Sequence, residues 1–275
     1  MLDTFLIKQK LNQIPGFEKN KRIIKQTIGE IKYFSFDKAD LKYFALISRG
    51  RSGTTCLLDI LTCHPQILAD VHYLYDDYGK LPANFGQQQF IYSRKNVRGC
   101  KLTTLPDELE KNSINAQRIR EGFINLAKKG VVLFYLKRNN LLKRSISIEV
   151  AKTKNRWNTL NPGKDRSSID RPSFELDPTS LLQRIQRCEE EMNYDQEVLK
   201  GVPHTALNYE QDLEKEEYHQ KTLDKICQVL QIDSAPAVTR YVKLAPEKIS
   251  DYILNYDEIV QTVSNSPYAK YLEQQ

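Results

Sequence analysis

Short continuous apolar runs alternate along this chain with longer stretches in which apolar residues recur at helical spacing. Tyr43-Phe44-Ala45-Leu46-Ile47-Ser48 reads as a strand that stops at the polar loop Arg49-Gly50-Arg51-Ser52-Gly53. Thr54 to Cys63 follows as a helix, with Leu57, Leu58, Ile60 and Leu61 on its apolar side, and ends before His64-Pro65. Strand, glycine loop and helix together open a βα unit. Val97 to Leu102 is a second strand, and Gln117 to Lys129 a helix closed by Gly130. The run Val131-Val132-Leu133-Phe134-Tyr135-Leu136 is that of a strand buried on both faces, and it leads through Lys137-Arg138-Asn139-Asn140 into a helix from Leu141 to Lys152. A polar stretch over 153–176 reads as a long loop, followed by a helix from Leu181 to Leu199, a short strand from His204 to Asn208 and a helix from Thr222 to Leu230. The alternation predicts an α/β fold with a central, mostly parallel sheet between layers of helices. One domain spans 41–275, and residues 1–40 form a lead-in segment with a turn at Ile14-Pro15-Gly16 and an amphipathic helix over Lys21–Ile31.

Composition narrows the function classes without choosing one. The 275 residues, 40% hydrophobic and 28% charged, suffice for a large core. A net charge of +6 suits an anionic ligand. The basic residues are scattered instead of gathered in a tail, so local anion sites are expected and a nucleic-acid track is not. No apolar run reaches the roughly 18–20 residues that span a bilayer. Met1 to Lys10, with Asp3 early in a short apolar stretch, does not read as a secretory signal. Five cysteines without a Cys-x-x-Cys pair, and four histidines without zinc-ligand spacing, predict free thiols, a reducing cytoplasm and no bound metal.

The loop after the first strand carries the chemistry. Open parallel sheets bind ligands where strand C-termini meet helix N-termini. There Gly53 lets an anion approach the backbone, and the first N–H groups of the following helix are donors without a helical partner. Ser52, Thr54 and Thr55 add hydroxyls, and Arg51 adds a permanent forked cation. This is not a triphosphatase loop: Gly50 and Gly53 stand too close together and no lysine follows Gly53. The strand Val131–Leu136 leads to Arg138 where a magnesium-holding aspartate would be expected.

Arg49-Gly50-Arg51-Ser52-Gly53-Thr54-Thr55 resembles the 5′-phosphosulfate loop of sulfotransferases that use 3′-phosphoadenosine 5′-phosphosulfate (PAPS), and the trailing Leu57-Leu58-Asp59-Ile60-Leu61 with His64-Pro65 resembles their bacterial and carbohydrate-type branch. Leu136-Lys137-Arg138-Asn139-Asn140-Leu141-Leu142 through Ser145-Ile146-Ser147 is similar to that family's 3′-phosphate motif. Gly99-Cys100-Lys101-Leu102, Tyr209-Glu210-Gln211-Asp212-Leu213, and Lys243 with Ile249 to Ile259 resemble further family stretches, so the resemblance runs from about Tyr43 to Ile259. It implies a P-loop-like three-layer fold and sulfonate transfer from PAPS to a hydroxyl or amine of a glycan, glycolipid or small molecule, without a metal. It also implies that Arg138 and Ser147, with Ser145 as the substitute, grip the 3′-phosphate. Arg51, Ser52, Gly53, Thr54 and Thr55 then hold the 5′-phosphosulfate.

The catalytic roles follow from the charge that grows on the leaving oxygen. Arg51 is expected to neutralise the departing 5′-phosphate and Lys101 the transferring sulfonate. The histidine that cytosolic family members carry in a Lys-x-His pair is missing. His72 stands where the bacterial branch has a glutamate, and it is either the general base or a packing residue among Tyr73, Tyr75 and Tyr78. Tyr209 either approaches the adenine or packs as a core tyrosine, and His64 is expected to cap its helix. Segments 72–96 and 153–176, the second basic and holding the sole tryptophan, Trp157, would contact the acceptor. A small-molecule kinase with an atypical loop and a non-catalytic nucleotide-binding module are the competing readings. The sequence is compatible with a homo-oligomer and leaves the oligomeric state open.

Overall fold

The computed structural model describes residues 41–70, 96–102, 116–154, 173–240 and 248–272. Five strands form one sheet in the order β2-β3-β1-β4-β5, and every pairing is parallel. Strand β1 (Lys42–Ser48) is central, and helix α1 (Thr54–Cys63) returns the chain to β2 (Ile67–Asp70) at one edge. Strand β3 (Val97–Leu102) then lies between β2 and β1. Helix α2 (Ala116–Lys128) leads into β4 (Val131–Lys137), which pairs with the other side of β1. After β4 come helices α3 (Leu141–Lys154) and α4 (Pro178–Leu199), then the opposite edge strand β5 (Thr205–Asn208). The short helix α5 (Tyr209–Asp212), α6 (His219–Leu230) and α7 (Tyr256–Ser264) complete the set. This is the α/β architecture of a parallel sheet flanked by helices that the sequence pattern predicts.

Side-chain alternation along β1 builds two cores. Phe44 and Leu46 point to one face and pack with Leu57, Leu58 and Leu61 of α1 and with Leu223 and Ile226 of α6. Ala45 and Ile47 point to the other face and pack with Ile119 and Phe123 of α2 and Val198 of α4. A third cluster joins Leu142 and Ile146 of α3 to Leu181 and Ile185 of α4 and to Ile253, Ile259 and Val263 near the C-terminus. Gly99 is required where β3 crosses beside β1: a Cβ there would stand 1.9 Å from the Phe44 ring. Phe174 and Ile253 form an isolated parallel bridge that fastens the C-terminal segment beneath α3 and α4.

Several boundaries differ from the periodicity alone. Helix α4 begins at Pro178, three residues before its first apolar position, because Asp177 caps it by accepting the Ser180 N–H at 2.7 Å. Strand β2 and helix α7 were not foreseen, being a four-residue edge strand and a nine-residue helix. The lead-in segment 1–40, with its expected helix at Lys21–Ile31, lies outside the described residues. Among the described residues no helix is long and apolar enough to cross a membrane, and no group of three His, Cys, Asp or Glu side chains is placed to hold a metal ion. All five cysteines are free thiols.

Candidate functional site

The loop after β1 and the loop after β4 are neighbours because their strands are, with Ser48 registered against Leu136. From β1 the chain runs on to β2 and β3 at one side of the sheet, and from β4 to β5 at the other, so the C-terminal ends of β1 and β4 are the topological switch point at which such sheets bind ligands. In the first loop Arg51 adopts φ +63° and Gly53 φ +87°. A non-glycine residue held in this left-handed region costs about 1–3 kcal/mol and persists only where its surroundings fix it. At Gly53 a side chain is excluded twice over, since a Cβ would also stand 2.5 Å from the Tyr209 ring.

Four of the predicted site residues, Arg51, Arg138, Ser147 and Tyr209, meet here. Arg51 Nε donates to Ser147 Oγ at 2.9 Å, and Arg138 Nη1 donates to the Arg51 carbonyl at 3.4 Å. The Arg138 guanidinium lies 4.5 Å above the centre of the Tyr209 ring, a cation–π contact. Its Nε is buried without a hydrogen-bond partner among the described residues. Such an orphaned donor is costly unless something accepts from it. Ser145 is fully buried on the other side of α3, where its hydroxyl meets Cys188 Sγ at 3.5 Å. The helix thus separates the two candidate serines, and Ser147 faces the loop. Arg51 thereby joins the loop after β1 to α3.

The remaining loop residues enter α1. Thr54 is buried and its hydroxyl hydrogen-bonds Ser48 Oγ at 2.7 Å, while Ser52 is buried and Thr55 half-buried at the helix start. Gly53 is the residue before α1, and no side chain caps that end. The N-terminus of α1 thus lies at the C-terminal end of β1 with no side-chain cap, and its dipole favours an anion there. Lys101 sits on β3 beside Leu46 of β1, half-buried. His72 and Trp157 lie outside the described residues, as does Lys243.

Around this centre the side chains tie elements together. Glu210, from the Tyr-Glu stretch after β5, accepts the backbone N–H groups of Asn139 at 3.1 Å and Asn140 at 2.9 Å. Asn140 caps α3 by accepting the Lys143 N–H at 2.8 Å. Tyr209 therefore packs against Gly53 and beneath Arg138, with its chain neighbour Glu210 bracing the second loop. His64 does close α1, as expected: its Nδ1 accepts the Gln66 N–H and its Nε2 meets the Asp233 carbonyl, both at 3.1 Å.

Tyr252 lies within the resembling stretch Ile249 to Ile259 but was not singled out there. Its ring is buried in the C-terminal segment, where burial pushes the phenol pKa up while the positive charges of Arg138 and Arg51 pull it down, and the net direction is up. The phenol therefore stays protonated.

No family model matches the chain, and no curated protein matches it. Among solved structures, a sulfotransferase from Alicyclobacillus acidocaldarius aligns with a TM-score of 0.41 and 11% identity, over 85% of this chain and 96% of that one. The site has to be read from its own residues.

Proposed function

We propose that this chain is a sulfotransferase that takes its sulfonate from PAPS. One observation carries the reading: Arg51, Arg138 and Ser147 converge at the ends of two adjacent central strands, directly beside an uncapped helix N-terminus. A doubly phosphorylated adenosine needs such a pair of anion sites within one ligand's reach. Arg138, with its buried Nε, and Ser147 would take the 3′-phosphate, the group that distinguishes PAPS from ATP. Ser52, Thr54, Thr55 and the N–H groups after Gly53 would take the 5′-phosphosulfate. Tyr209 holds Arg138 flat and supports Gly53, which makes it a wall of this site.

In the proposed reaction the acceptor oxygen or nitrogen bonds to sulfur while the bond from sulfur to the 5′-phosphate oxygen breaks. The acceptor proton passes to a base, and negative charge appears on the leaving phosphate. Fixed donors aimed at that charge are worth several kcal/mol in a site that excludes water. Arg51 and the helix N-terminus supply them, and Lys101 would approach the transferring group from β3. His72 is the proposed base, and a hydroxyl or amine of a glycan, glycolipid or small molecule the proposed acceptor. The absence of a lysine after Gly53 and the presence of Arg138 beyond β4 argue against the kinase reading.

A thermal-shift comparison of 3′-phosphoadenosine 5′-phosphate, AMP and ATP tests the donor. At about 100 times its Kd a ligand adds about 2.7 kcal/mol to stability. The 3′-phosphorylated nucleotide is expected to raise the midpoint well above the effect of AMP. An equal or larger shift with ATP and magnesium would favour the kinase instead.

A further inference from the structure

The strained loop that carries Arg51 is held from behind by one helix. Arg49, the last residue before Gly50, is nearly buried and makes a bidentate pair with Asp195 of α4: Nε donates at 3.0 and 3.2 Å and Nη2 at 2.7 Å. Tyr135 of β4 adds its hydroxyl to the same carboxylate at 3.4 Å. Burial works to lower the Arg49 pKa, but the hydrogen bonds and charge of Asp195 prevail and raise it. One helical turn earlier on the same face of α4, Glu191 accepts from Arg144 Nη2 at 2.6 Å. Arg144, from α3, uses its Nε to bind the Gly50 carbonyl at 3.1 Å. Two arginines thus grip the loop on either side of Gly50, and both end on carboxylates of α4.

We infer that Glu191 and Asp195 are positioning residues of the donor site, holding residues 49–51 in the conformation that directs Arg51 toward Ser147 and Arg138. The consequence for donor binding rests on the proposed function; the hold on the loop does not. A buried ion pair is a poor source of net stability, since well-packed apolar replacements of all its members are often neutral. Its geometric effect is harder to replace: apolar side chains fill the volume without fixing the direction of the backbone on each side of Gly50. Ser147 and Arg144 lie one turn apart on α3, so the same helix that receives Arg51 also fastens the loop that presents it.

The test compares wild type with an apolar triple variant, Arg49→Met, Asp195→Leu and Tyr135→Phe, which removes the three members of this hydrogen-bonded group together. Amide hydrogen exchange is read in residues 50–55 and in β4, alongside calorimetric binding of 3′-phosphoadenosine 5′-phosphate. Exchange in the loop is expected to quicken about tenfold with β4 protection retained, and the Kd to rise about tenfold. Loop protection equal to wild type overturns the inference, and so does faster loop exchange with unchanged affinity. Glu191→Gln, at a partly exposed side chain, provides a second reading should the triple variant not fold: the same amides are expected to quicken, and unchanged exchange there overturns the inference. A wild-type protein that fails to bind this nucleotide would sink the donor reading, and the exchange result would then decide the hold on the loop by itself.

Discussion

Arg138 leaves β4 where the strand ends, and its surroundings define the site: the Tyr209 ring beneath it, the Arg51 carbonyl at one nitrogen and a buried Nε without a protein acceptor among the described residues. The sequence made this arginine legible because a continuous apolar run marks a buried strand and the next charged residues must emerge at its end. The choice between Ser145 and Ser147 was not legible to the same degree. Helix residues two positions apart, as Ser145 and Ser147 are, point about 200° apart, so only one can face the loop, but the spacing alone did not say which. Tyr252 was not singled out within the resembling stretch Ile249 to Ile259, since its segment is fastened by a long-range backbone bond from Phe174 N–H to the Tyr252 carbonyl and feels the charge of both arginines. Tyr252→Phe keeps the buried ring and removes one neutral donor. Calorimetry is expected to show 3′-phosphoadenosine 5′-phosphate bound about 3- to 10-fold more weakly, with the thermal midpoint nearly unchanged, as for loss of a single hydrogen bond. Equal affinity in the variant would remove Tyr252 from the site.

The loop and helix that follow β1 form the element on which the site turns. Its outline was readable residue by residue, since Arg49 to Gly53 interrupts an apolar strand and α1 runs over the predicted Thr54–Cys63. The reason for Gly53 required the structure: the left-handed backbone and the Tyr209 ring leave no space for a side chain, and Tyr209 arrives from the far end of β5. Gly53→Ala is therefore expected to destabilise the fold by about 1–3 kcal/mol in urea melts and to weaken nucleotide binding in the protein that remains folded. Wild-type stability and affinity together would mean that the loop can relax without cost. Strand β2 escaped notice for a different reason. Ile67-Leu68-Ala69-Asp70 is too short to show alternation, and it is a strand only because β3 offers it a parallel edge.

At the scale of the whole molecule, the alternation of strands and helices gave the α/β class, but strand order is not written in alternation. Placing β1 between β3 and β4 is what makes the loops bearing Arg51 and Arg138 neighbours, and the sequence offered only a resemblance for that. His72 and the basic stretch containing Trp157, proposed as base and as acceptor contacts, fall outside the described residues. The described residues bear on the proposed donor site instead. The central claim is that Arg51 and Arg138 act on one nucleotide.

The most direct test is a double-mutant cycle on the Kd of 3′-phosphoadenosine 5′-phosphate for wild type, Arg51→Ala, Arg138→Ala and the double variant. Because both side chains are proposed to hold one nucleotide, each single change is expected to weaken binding at least tenfold, and the double change to depart from the sum of the two by about 0.5–3 kcal/mol through that shared ligand. Strict additivity, or binding that neither substitution alters, would contradict the account.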